Sequence, residues 1–246
     1  MSVTWNPWHG CKKISAGCQN CYVYRQDFKF EKDSSIVTKN ASFNLPTRKN
    51  RNGSYKIPSG EMVFTCFTSD FFLKEADAWR EIVWKMIKER TDLNFFIITK
   101  RPDRFFISLP NDWLGGYENV YISCTVENQK MADFRLPIFL NLPIKHKFIA
   151  VSPLLENINL LPYLNSEIEE VVVGGESGKF ARICDYRWVL NLRDQCISRD
   201  VPFWFHQTGS KLYKDGKLYN IPRKYHHSQA EKANINYKTE KFKEEK

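Results

Sequence analysis

Cys11, Cys18 and Cys21 are crowded into eleven residues near the start of the chain. They lie in Trp5-Asn6-Pro7-Trp8-His9-Gly10-Cys11-Lys12-Lys13-Ile14-Ser15-Ala16-Gly17-Cys18-Gln19-Asn20-Cys21-Tyr22, spaced Cys-x6-Cys-x2-Cys and interrupted by Gly10 and Gly17. Thiolates are soft donors that suit zinc and iron–sulfur centres, and three on one loop can wrap a single inorganic centre. A closed zinc site needs a fourth ligand, which His9 or a distant cysteine would supply. A cluster held by three thiolates leaves one iron with an open position, which a reaction centre can use. A cysteine nucleophile with His9 as base is a poorer reading, because the local motif holds no carboxylate to orient the histidine. Cys66, Cys124, Cys184 and Cys196 sit in apolar strand or helix patterns and read as buried thiols. An odd total of seven cysteines, behind a start that lacks a signal-peptide layout, argues against a disulfide framework.

The elements that must position this loop are short apolar runs of strand character: Val3–Asn6, Met62–Thr68, Phe95–Thr99, Val120–Thr125, Lys147–Ser152, Glu170–Gly175 and Pro202–His206. Phe95-Phe96-Ile97-Ile98 and Val171-Val172-Val173 are apolar throughout and read as strands of a parallel sheet, buried on both faces. Helical stripes fall between some of them: Ala76, Trp79, Val83 and Ile87 within 75–90, and Trp188, Val189, Leu192 and Cys196 behind the N-cap candidate Asp185. Alternating strands and helices imply right-handed βαβ units, hence a barrel or a doubly wound sheet. Polar residues follow the strands, and in both architectures ligands bind at the carboxyl ends. The cysteine loop follows the first strand, so it opens on that same side.

Charge is uneven. The net +9 divides into +5 over residues 29–56, with 7 basic and 2 acidic groups, +5 over 210–246, with 10 and 5, and +2 over 1–28. The stretch 57–209 carries −3. The basic peripheral segments favour nucleic acid, while the slightly acidic core counts against a long duplex footprint, and no stable nucleic-acid polymer binding is expected. No run reaches the ~20 apolar residues of a membrane span, and a cytoplasmic protein is expected. The organisation expected is a single domain over 1–225, with 29–60 as an insertion or lid, and a polar, disordered tail over 226–246.

The cysteine loop after the first strand of an α/β barrel resembles the radical S-adenosylmethionine (SAM) superfamily. The phage-type three-Cys-motif subfamily fits closely. It shares Thr4-Trp5-Asn6-Pro7, Gly10-Cys11, Gly17-Cys18, Asn20-Cys21-Tyr22, Thr99-Lys100-Arg101-Pro102, Val173-Gly174-Gly175-Glu176-Ser177-Gly178, Leu192-Arg193-Asp194-Gln195-Cys196 and Pro202-Phe203, in order from residue 3 to about residue 209. Within it the chain is similar to the clostridial queuosine lyases. The resemblance implies a partial parallel (β/α)6-type barrel with an added strand. It also implies a 4Fe–4S cluster on Cys11, Cys18 and Cys21, with SAM on the open iron. The implied activity is release of queuine from queuosine or its 5′-phosphate by a 5′-deoxyadenosyl radical, fed by an electron donor such as flavodoxin or ferredoxin. Two alternatives stay open: a radical SAM enzyme that repairs or modifies a base in DNA or RNA, and a non-enzymatic zinc-binding scaffold.

Under that resemblance the strand ends acquire roles. The superfamily commonly contacts the SAM amine with Gly-Gly-Glu after the second strand. Here Thr68, Ser69 and Asp70 stand in that place, and Gly-Gly-Glu follows the sixth strand instead. Ser123, Thr125, Glu127 and Asn128 are candidates for the SAM ribose and carboxylate, and Tyr22 for its adenine. Helix capping by Thr125 or Asn128 is the plainer alternative. Asn6, Lys100, Arg101, Glu176, Arg182 and His206 are the substrate candidates. The two cations suit a substrate phosphate or the SAM carboxylate, Glu176 suits the N–H groups of a deazapurine, and Arg182 either holds that carboxylate or binds an anion itself. Two glycines before Glu176 are expected to let backbone approach a ligand. Relatives in the subfamily more often carry Lys-Gln where this chain has His206-Gln207. No catalytic side chain is assigned beyond the cluster and SAM.

Overall fold

The computed structural model describes residues 2–239. Seven strands form one sheet: β1 (Ser2–Trp5), β2 (Met62–Thr65), β3 (Asn94–Thr99), β4 (Val120–Thr125), β5 (His146–Val151), β6 (Ile168–Gly174) and β7 (Phe203–Gln207). Each falls on one of the seven apolar runs. The strands stand side by side in sequence order, and the pairs β1–β2, β2–β3, β3–β4, β5–β6 and β6–β7 are parallel. The order never reverses, so there is no doubly wound switch point. This is the α/β class with the winding of the expected partial barrel, one strand added.

The described residues of Met1–Ile14, Val23–Cys124 and Asn141–His146 form one compact unit. In β3 the side chains alternate, with Phe95, Ile97 and Thr99 buried and Phe96 and Ile98 only half-buried. The expectation of burial on both faces is therefore corrected: one face is fully packed, while the other is partly open. The helical stripe 75–90 becomes a 3-10 turn, Lys74–Ala76, followed by α2 (Asp77–Glu89), the shorter α1 (Tyr22–Phe28) preceding it in the chain. Ala76, Val83 and Ile87 are fully buried, and Trp84 packs edge-on against Phe71 and Trp113. Trp5, Trp8 and Phe72 belong to this core at 0% exposure, so they offer no free ring to a ligand.

Residues 29–60 form a long loop with little regular structure, fastened at several points. Trp5 Nε1 donates to the carbonyls of Ser42 and Phe43, and Asn40 Nδ2 donates to the Asn6 carbonyl. The buried Arg90 guanidinium donates to the carbonyls of Pro46 and Ile57 and pairs with Asp92. Those bonds from Arg90 hold the Asp92 carboxyl at about 2, against the opposing effect of burial.

The described residues of Ser15–Tyr22, Thr125–Leu140 and Lys147–Lys246 form a second compact unit. Its helices are α3 (Gln129–Leu140), α4 (Tyr186–Ser198) and α5 (His226–Lys232), and its hairpin strands are β8 (Lys211–Lys214) and β9 (Lys217–Asn220). Asp185 caps α4 as expected, accepting from Arg187 N at 2.9 Å, and Val189, Leu192 and Cys196 are its buried stripe. The tail departs from expectation. His226 and Ala230 of α5 are buried, Tyr237 exchanges backbone hydrogen bonds with Phe203, and Asn236 Oδ1 accepts from Phe205 N. The reason is the edge of β7, whose unpaired backbone groups need partners that the tail provides. Residues 240–246, the rest of the expected tail, lie outside the described residues. Among the described residues no helix is long and apolar enough to cross a membrane.

Candidate functional site

In the first unit the chain around Cys11 is locked from several sides. Gly10 adopts φ +91°, and a Cβ there would stand 2.4 Å from the Ile36 carbonyl oxygen, so only glycine fits. Cys11 N donates to Ser34 O at 2.7 Å, and the Tyr24 hydroxyl donates to Cys11 O. Arg101, buried at the end of β3, lies 3.0 Å from Asp70, donates to Lys12 O at 2.6 Å and directs Nη1 toward Cys11 Sγ at 3.9 Å. Burial would depress the Arg101 guanidinium, but its neighbours Asp70 and Cys11 outweigh that and raise it, so it stays charged.

Three residues expected at SAM are occupied with this scaffold. The Asp70 carboxylate accepts from Phe72 N, Thr99 Oγ1 and Lys100 N as well as Arg101. Ser69 Oγ donates to Gly10 O, and Thr68 Oγ1 donates to Trp8 O. Asn6 Oδ1 accepts from Thr68 N, and Lys100 is half-exposed.

In the second unit two buried carboxylates grip the segment carrying Cys18 and Cys21. Glu127, 0% exposed just beyond β4, accepts from Gly17 N at 3.0 Å through Oε1 and from Arg135 Nη1 at 2.8 Å through Oε2. Glu176, beyond β6, accepts from Asn20 Nδ2 at 2.9 Å and from Arg182 N and Nε. Arg182 also donates to Ala16 O at 3.0 Å. Burial pushes the Glu176 carboxyl up, but the hydrogen bonds from Arg182 and Asn20 outweigh it and hold the group below its ordinary value. Arg182 thus holds the carboxylate, one of the two roles the sequence left open. The glycines before Glu176 do not admit a ligand: a Cβ at Gly175 would stand 2.2 Å from Thr208 O, so the close neighbour is the chain after β7.

Two other candidates at the end of β4 have unsatisfied chemistry. Ser123 Oγ and Thr125 Oγ1 are buried without a hydrogen-bond partner, and buried hydroxyls ordinarily find one. Asn128 takes the plainer role, its Oδ1 accepting from Met131 N at the start of α3. Tyr22 is 40% exposed. His206 packs edge-on to Trp204 and His227, and burial followed by His227 pushes it down to about 4, so its ring is neutral at pH 7.

The thiols fall into two classes. Cys66, Cys124, Cys184 and Cys196 are buried, and desolvation raises Cys184 and Cys196 to about 12. Cys11, Cys18 and Cys21 are partly exposed and unbridged. Among the described residues no three His, Cys, Asp or Glu side chains stand gathered as a ready-made metal site. His9 Nε2 lies 2.7 Å from Asp27 Oδ2, and Ser34 Oγ donates to the same carboxylate.

Residues 1–244 match the family described as a protein of unknown function (DUF5131). The chain belongs to that family. No curated protein matches it. Among solved structures, it is similar to spore photoproduct lyase complexed with dinucleoside spore photoproduct, at 11% identity and a TM-score of 0.44, over 93% of this chain and 70% of that one.

Three members of the scaffold in this DUF5131 chain escape a sequence reading. Asp27 reaches His9 across eighteen positions, Arg135 reaches Glu127 from the far side of a helical turn, and Asn20 reaches Glu176 across more than half the chain. Only Asn20 leaves a signal, its place next to Cys21.

Proposed function

We propose that this chain is a radical SAM enzyme in which Cys11, Cys18 and Cys21 bind three irons of a 4Fe–4S cluster, and that it is a lyase releasing queuine from queuosine or its 5′-phosphate. The observation that carries the cluster assignment is the Cys-x6-Cys-x2-Cys loop itself: its thiols are partly exposed and unbridged, and backbone or side-chain groups beside Cys18 and Cys21 are held by buried carboxylates. When bound, the cluster and SAM would supply one-electron chemistry that ends in abstraction of a substrate hydrogen.

The chain's own residues do the rest. Arg101 places a fixed cation near Cys11 Sγ, which favours the thiolate that a metal requires. Glu127 and Glu176 act as positioning residues that fix the loop through Gly17 and Asn20. The hydroxyls of Ser123 and Thr125 suit the ribose or carboxylate oxygens of SAM, since each lacks a partner. Lys100, half-exposed after β3, is free of the ion pair that occupies Arg101 and suits a substrate phosphate. The substrate class rests on the subfamily motifs.

The test is anaerobic purification and iron–sulfur reconstitution, then chromatography of SAM cleavage under dithionite, with and without queuosine 5′-phosphate. A brown protein that forms 5′-deoxyadenosine, and queuine only with the nucleotide, is the expected result. Cys18→Ala should lose iron and cleavage while its unfolding free energy stays within ~1 kcal/mol of the cluster-free parent, since the thiol it removes is not in the core. A colourless, zinc-loaded protein would overturn the cluster, and SAM cleavage without queuine would overturn the substrate.

A further inference from the structure

The second unit carries a cleft of about 470 Å3 that none of the cysteines or the candidate cofactor and substrate residues lines. Its walls come from the start of α4, the β8–β9 hairpin and α5 with the turn before it. Tyr186, Tyr219 and Tyr225 supply aromatic surface, Lys214 and Lys232 supply charge, and Asn220 supplies a carboxamide at the end of β9. No Asp or Glu is among the lining residues. The rings and cations come as pairs: Lys214 Nζ lies 4.8 Å from the centre of Tyr186, Lys217 Nζ 5.2 Å from Tyr219, and Lys224 Nζ 4.8 Å from Tyr225. Tyr219 and Tyr225 remain 40% and 45% exposed.

A volume of this size suits a small organic ligand. Exposed rings bind flat aromatic groups by stacking, which serves any base because every base has a π-face. Lysines with no acid beside them in the cleft attract an anion. One ligand chemistry needs both: an aromatic heterocycle joined to a phosphate. We propose that this cleft binds a nucleoside monophosphate unit, its base against Tyr219 and Tyr225 and its phosphate near Lys214 and Lys232. The unit is either a free nucleotide or an exposed nucleotide of a single strand. This proposal does not depend on the cluster assignment.

The experiment is titration calorimetry of the full chain with AMP, adenosine, inorganic phosphate and a hexameric adenylate RNA. Saturable binding of AMP is expected, weaker for adenosine and for phosphate alone. Tyr219→Ala and Tyr225→Ala should each weaken it about tenfold, the scale of one stacked base. Lys214→Ala combined with Lys232→Ala should weaken it further and flatten its salt dependence. These side chains are exposed, so circular dichroism should stay unchanged; if a tyrosine variant fails to fold, Lys214→Glu carries the same test. An RNA that binds tenfold tighter than AMP identifies a strand as the source, and equal affinity identifies the free nucleotide. Absence of saturable binding up to about 1 mM, phosphate binding as tightly as AMP, or AMP binding that the cleft variants leave unchanged would overturn the proposal. The last outcome would assign nucleotide affinity to another part of the chain.

Discussion

Replacing Glu127 by alanine tests whether a buried carboxylate holds the cysteine-bearing segment. Glu127 is 0% exposed and its partner Arg135 is 1% exposed, so the variant leaves a guanidinium buried beside an empty space. Removing one member of a buried pair costs about 3–5 kcal/mol, and the loss of an acceptor for Gly17 N–H adds about 1 kcal/mol. Arg135 Nη1 keeps the Thr125 carbonyl at 2.8 Å, which places the total toward the lower end. At 2–4 °C per kcal/mol for a chain of this size, a total of about 4 kcal/mol means that Glu127→Ala should melt roughly 8–16 °C below the parent. Anaerobic thermal unfolding followed by circular dichroism reads this, and alkylation of Cys18 and Cys21 reads the local release of the loop. Adding Arg135→Met should restore part of the melting temperature, because two apolar groups replace one stranded charge. Thiol reactivity should stay raised in the double variant, since Gly17 still lacks its acceptor. A single variant that melts within ~2 °C of the parent, or a double variant that loses the sum of two independent costs, would refute the reasoning.

Other consequences follow from the same geometry. Gly17→Ala would place a Cβ 3.0 Å from Glu127 Cδ; because that side chain is fully buried, a loss of about 1–3 kcal/mol in unfolding experiments is expected, with faster alkylation of Cys18. The Glu176 carboxyl is held below its ordinary value, so its contribution is complete above the unfolded pKa of about 4.5 and is lost as pH falls through the folded one. The difference in melting temperature between the parent and Glu176→Gln should therefore be constant near neutrality and shrink below about pH 4.5. His206, held at about 4, remains neutral while an unfolded histidine would already be protonated. Its burial thus contributes stability above about pH 6.5 that declines toward pH 4, and proton NMR of its ring should show a midpoint near 4; a midpoint near 6.5 would mean that the ring is open to water.

How much of this was legible in the sequence depends on the range of the interaction involved. The seven strands were, because an apolar run of strand length reflects its own burial. So was the capping of α4, since Asp185 acts on a backbone N–H two residues away. The cysteine spacing marked the loop, and Gly10, Gly17 and Asn20 lay inside the same motif. What the tertiary structure decided was which polar group meets which. Asp70, Ser69 and Thr68 stand at a strand end that sequence alone offers to a cofactor, and folding commits them to Gly10, Trp8, Lys100 and Arg101. Glu127 and Glu176 likewise turn inward to the loop, because a buried carboxylate must find donors and the donors lie far off in the chain. The basic C-terminal segment reads as a frayed tail, yet residues up to Tyr237 complete the edge of β7 and one wall of a cleft. A composition rule sees only that the segment is polar. The open strand edge that gives it a place exists only once the sheet has formed.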